Sequence, residues 1–161
     1  MMVATVSFVL RNLPAFLMVA ALVIGTLRHD GRPAAERLLK WILLLPVGVS
    51  GLWAAIFHLF FPNISAEDIG WQPSPFQFEV GMADLAIGAT AVAAFWCSLP
   101  FKAAIVWVSS IFLVGDAVGH IHQMLAAGNF APGNAGTPFF IDVIAPAISI
   151  VLLVAAYRRR R

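Results

Sequence analysis

Five apolar stretches, each about as long as a bilayer is thick, constrain this chain more than anything else in it. They cover residues 5–27, 38–61, 76–99, 103–127 and 139–157. An apolar helix of about 20 residues crosses the hydrocarbon core of a membrane. Only 11% of the residues are charged, against roughly 25% in ordinary soluble domains. Five such helices consume most of the 161 residues. The sequence therefore predicts an all-α polytopic bundle, a single transmembrane domain over residues 1–161, with the lipid bilayer as its first partner.

The punctuation between the stretches sets their ends. Arg11-Asn12 interrupts the first, and two readings compete. Either one long helix runs over 5–27 with a kink near Pro14, or Asn12 caps a helix with Pro14 in its first turn. The second leaves 15 apolar residues, roughly 22 Å and short for a span. The long helix is preferred, with Arg11 reaching a head-group or an acidic partner. Pro33 suits the first turn of the second helix, and Pro62 ends it. Residues 62–75 read as a loop. Ser74, Pro75 and Gln77 combine a cap, a first-turn proline and a capping-box partner. Pro100-Phe101-Lys102 reads as a tight turn, Gly128-Asn129 as a left-handed stop, and Thr137-Pro138 as another cap with proline.

Basic residues orient the bundle. Nine of the ten Lys and Arg fall at one end, in the segment 28–40, at Lys102 and in 158–161. Such residues gather on the cytoplasmic side, which predicts an outside N-terminus and a cytoplasmic C-terminus. They form no helical stripe of the kind that binds nucleic acid. The lone Cys97 permits no intramolecular disulfide.

Orientation then gathers the polar residues. Asp84, Asp116, His120, Glu79, His58, Gln123, Asp142 and Arg11 all fall at or outside the midplane. Charged groups in that setting mark ion paths, proton relays or ligand sites. Asp116, His120 and Gln123 share one helix face with Ser109, and His122 points away. Gly115 and Gly119 form a G-x-x-x-G row that predicts close helix packing, as do Gly81 and Gly88 on the third span. Four acids against one reliable cation must be offset by protonation, charged histidines, a bound cation or water.

Three functions follow as expectations. The first is an outward-facing intramembrane pocket that binds or transports a proton, a cation or a small polar ligand. The second is a non-catalytic accessory or assembly subunit of a larger membrane complex or homo-oligomer, its polar groups locking helix register. The third is a haem- or quinone-linked redox protein using His58 and His120 as axial ligands. Asp116 and His120, four residues apart, are also a candidate metal pair. None of the familiar soluble-enzyme motifs is present, so an enzyme is not the favoured reading.

Gly70-Trp71-Gln72-Pro73-Ser74-Pro75-Phe76-Gln77-Phe78-Glu79, followed by Asp84-Leu85-Ala86 and Gly88, resembles a segment in a family of small, functionally uncharacterised bacterial multi-pass membrane proteins. Gly115-Asp116 to His120 extends the resemblance. It implies a bacterial inner-membrane location and supplies no activity and no catalytic residue.

Overall fold

A computed structural model of the protein describes residues 8, 9 and 11–159, so the expected start of the first span at residue 5 lies outside them. Every regular element among the described residues is helical. In chain order they are α1 (Leu13–Leu27), α2 (Ala34–Phe60), α3 (Pro62–Ile69), α4 (Phe76–Ala94), α5 (Leu99–Ala127), the short α6 (Pro132–Ala135) and α7 (Thr137–Arg158).

Contacts at the two ends fix the topology. Arg11, just before α1, pairs with Asp68 of α3, and Asn12 accepts the Thr137 hydroxyl at the start of α7. At the opposite end the Trp41 and Phe95 rings meet at 4.9 Å, and Ala156 joins Ala35 and Leu39 in the core. The long helices therefore alternate up and down. The apolar core fills the second end, around Leu39, Leu43, Leu99, Val106 and Leu153. The first end, capped by α3 and α6, is where Asp68, Asp142, His58 and His120 lie.

Several local expectations are corrected. Asn12 is a turn that breaks the helix, so the chain is neither one long helix over 5–27 nor a helix capped by the Asn12 side chain. Its amide donates back to the Phe8 carbonyl instead. Residues 62–69, expected as loop, form α3, because Pro62 suits a first turn and Gly70, at φ 74°, supplies the left-handed stop. The third helix ends at Ala94 and the fourth begins at Leu99, so Pro100 lies in a first helical turn and not in a tight turn. Thr137 caps nothing with its hydroxyl, which goes to Asn12. Gly128 adopts the expected left-handed conformation, with φ 63°.

Pro46 reshapes the middle of α2. It has no N–H to donate and its ring crowds the preceding turn, and Leu43–Val49 winds as a π-helix around it. Just beyond, α2 and α4 pack at a glycine seam. A Cβ on Gly88 would stand 2.7 Å from the Leu52 nitrogen, and one on Gly51 would stand 3.2 Å from the Gly88 Cα. Gly81 is equally confined by Leu59 and His58.

Three helical stretches are long and apolar enough to cross a membrane: Ala34–Phe60, Leu99–Ala127 and Pro132–Arg158. Their 27 to 29 residues reach roughly 40 Å, beyond a hydrocarbon core of about 30 Å. α1 is apolar but has 15 residues, and α4, with 19, carries Gln77, Glu79 and Asp84. Outside the bundle, Val108, Ile111, Val114, Val118, Ile121 and Leu125 form an exposed apolar stripe along α5, Leu125 being 83% exposed. A stripe this long suits lipid, not water.

The basic end is more than a solvated anchor. Glu36, Arg37, Lys40 and Lys102 are all buried there, Lys102 to 1% exposure. Lys40 donates to Asp30 and stands 4.6 Å above the Phe95 ring. Arg37 donates from Nε to the Gly25 carbonyl at 2.7 Å, tying α2 to the end of α1. Lys102 donates to the Cys97 carbonyl. Asp30 also accepts from Arg32, and the Lys40 hydrogen bond, aided by those from Arg32, holds its carboxyl down at about 2.

Candidate functional site

The opposite end encloses a cavity of about 610 Å³ between α2, α4, α5 and α7. It runs from Arg11, Ser74 and Phe76, which are exposed, down to Pro46, Val47 and Phe112 in the middle of the bundle. It therefore opens at the end capped by α3 and α6.

Each helix delivers its polar residue by its own phase. Asp84 comes from α4, Asp116 and His120 from α5, Asp142 from α7 and His58 from α2. Gly115 and Gly119 line the same wall, and a Cβ on either would meet nothing within 4 Å. Tight glycine packing between the long helices is thus at Gly25, Gly48, Gly51, Gly81 and Gly88, while the G-x-x-x-G row opens space beside Asp116. Small residues recur along one helix face in both cases, so only the neighbouring helix distinguishes them.

Other expected members fall elsewhere. Glu79 is on the exposed side of the first turn of α4, outside the cavity wall. Gln123 and Ser109 are likewise absent from that wall. Ser109 bonds back to the Ile105 carbonyl at 2.7 Å. Arg11 is at the rim, and its Nη2 lies 2.6 Å from Asp68. Its acidic partner is therefore in α3, not among the deep carboxyls.

The two histidines are held by amides. His58 Nδ1 lies 2.5 Å from Gln77 Oε1, so Gln77 serves the cavity and not the expected capping box. His120 is held by Asn134 of α6, which is fully buried. Asn134 Nδ2 donates to the carbonyls of Asn129 and His120, at 2.9 and 3.2 Å. Its Oδ1 accepts from Trp71 Nε1 at 3.2 Å and stands 2.8 Å from His120 Nδ1. An indole N–H can only donate, so that amide atom must be the oxygen and His120 Nδ1 must carry the hydrogen. Nε2 is left facing Asp142 Oδ2 at 3.6 Å, an ion-pair separation too long for a hydrogen bond.

This accounting leaves a remainder. Asp68 has Arg11 and Asp142 has His120, but Asp84 and Asp116 have no hydrogen-bond or ion-pair partner among the described residues. Ser50, 9% exposed and on the same wall, has a hydroxyl with no partner there either. Trp53, Phe57, Trp71, Phe76 and Phe112 supply aromatic surface. Among the described residues no three His, Cys, Asp or Glu side chains are grouped to hold a metal ion.

Asn134, Trp71 and Asp68 were not singled out from the sequence. Asn134 sits in an uncharged stretch rich in Gly, Asn and Pro, where asparagine ordinarily signals a turn. No local pattern marks it as the residue that orients His120.

Fold and site together define a helical bundle with membrane-length apolar helices and an acid-lined cavity at one end. The chain belongs to a family of unknown function, DUF6790, whose model matches residues 11–161. No curated protein and no solved structure matches it.

Proposed function

We propose that this is a five-span membrane protein whose cavity binds, and passes across the bilayer, a proton, a cation or a small polar ligand. The observation that carries the reading is the pair Asp84 and Asp116. They stand on two helices, share one cavity wall, and lack partners among the described residues. Burying a carboxylate without a counter-charge costs several kcal/mol. A fold retains such groups where a charge arriving from elsewhere offsets the cost.

Five spans are supported by packing. α4 lies against α2 along the glycine seam, and α1 places Met18, Ala21 and Gly25 against α2 and its neighbours. Helices packed along spanning helices share their slab. Among the described residues, Arg11 is the one Lys or Arg at the cavity end. Under the positive-inside rule this charge distribution favours an outward-facing cavity, and the resemblance noted above favours a bacterial inner membrane.

Uptake into proteoliposomes tests this. Protons, sodium and small amines should be compared in wild type, Asp84→Asn and Asp116→Asn. The expected result is uptake of at least one of them that both variants abolish at a melting temperature no lower than that of the wild type. Uptake equal to that of empty liposomes for every solute would contradict the reading.

A further inference from the structure

We infer that the occupant of the cavity is an organic cation, an amine or onium of small-molecule size carrying apolar surface. This deepens the proposed function and rests on it. Size is the first argument. A volume of about 610 Å³ lies within the range of small-molecule sites, roughly 300–1,000 Å³. The deep carboxyls come from three different helices, and no three candidate ligands converge on an ion among the described residues. An inorganic cation would contact too little of this space.

Chemistry is the second. Asp84 and Asp116 offer carboxyls that have no hydrogen-bond or ion-pair partner among the described residues. The Trp53, Phe57 and Trp71 rings line the same space, and aromatic faces attract ammonium-type cations by about 2 kcal/mol where water is excluded. The Ser50 hydroxyl, buried and unpartnered among the described residues, offers one further polar contact. A neutral apolar ligand would leave both carboxyls unpaired, and an anion would meet four acidic side chains, Asp68, Asp84, Asp116 and Asp142. A cation with an apolar body uses every part of the wall.

Gly115 and Gly119 give the site a handle that leaves its charges alone. Both line the cavity, and both have open space where a side chain would grow. A bulky residue at Gly119 should therefore occupy the ligand's volume while Asp84 and Asp116 stay in place.

The test uses tetraphenylphosphonium and its shape-matched anion tetraphenylborate. Equilibrium dialysis would be run on the full-length protein in lipid nanodiscs, against empty nanodiscs. Saturable binding of the cation alone is expected, weakened on the order of tenfold or more by Asp84→Asn and by Asp116→Asn. Gly119→Leu should abolish it. Equal binding of both ions, or binding indifferent to the Asn variants, would overturn the inference. If tetraphenylphosphonium does not bind but proton or sodium uptake is present and lost in the Asn variants, the organic cation is wrong and the site stands. If neither is seen, both readings fall.

Discussion

The two ends of the bundle both hold ionisable groups on apolar helices, buried at the basic end and half-buried along the cavity wall, and they treat them in opposite ways. At the basic end Lys40 is matched by Asp30, Arg37 by the Gly25 carbonyl and Lys102 by the Cys97 carbonyl. The Arg37 contact joins α2 to α1, the Lys40 contact ties α2 to the loop before it, and Lys102 closes back on the turn before α5. At the cavity end Asp142 and Asp68 have partners, while Asp84 and Asp116 have none among the described residues. A matched buried charge fastens helices together, whereas an unmatched one costs stability and needs another justification. The contrast separates groups that hold the fold from groups available to a ligand, although both kinds look alike as polar letters in apolar segments.

The largest expected effect lies on the matched part of the cavity end. Asn134→Ala should cost about 3 kcal/mol, because it strands the buried His120 Nδ1–H and Trp71 Nε1–H together with two carbonyls. A fall in detergent melting temperature measures it. A neutral outcome would mean that α6 does not organise this end.

Next is the glycine seam. Gly88→Ala should cost about 2 kcal/mol, since its Cβ would run into backbone. Gly119→Ala should instead gain about 0.5–1 kcal/mol, because the side chain meets open space and alanine favours the helix. Opposite signs from two helical glycines would sharpen the distinction between packing and cavity wall.

The basic end gives a smaller effect with a pH signature. Asp30→Ala should cost about 1 kcal/mol, discounted because the Asp30 side chain keeps 27% of its surface in solvent. The Asp30 carboxyl lies below its unfolded value of 3.8, so its stabilisation is complete above that value. It is lost as pH falls through about 2. A melting-temperature profile should therefore drop across that window in wild type and be flatter in Asp30→Ala.

Much of this was legible in the sequence. Gly128 ended α5 as its left-handed preference requires, and depth and helix phase were enough to name Asp84, Asp116, His120, Asp142 and His58, which line one cavity. What was illegible depended on neighbours. Gln77 has the right spacing for a capping box, but a histidine from another helix claims it. Gly115 and Gly119 match a packing motif with no helix against them. Glu79 differs from Asp84 by five positions, enough to turn it to the outside. The π-helix at Pro46 was not anticipated, because proline marks a disturbance without saying how the backbone resolves it.

The most direct test of the contrast measures stability and binding on the same samples of Asp84→Asn and Asp116→Asn. An amide costs less to bury than an unpaired carboxylate, so both variants should melt at or above the wild-type temperature, by up to about 1 kcal/mol of added stability. Tetraphenylphosphonium binding should fall at least tenfold. Variants that lose stability while binding is unchanged would show that these carboxyls fasten the fold after all, and would contradict the account.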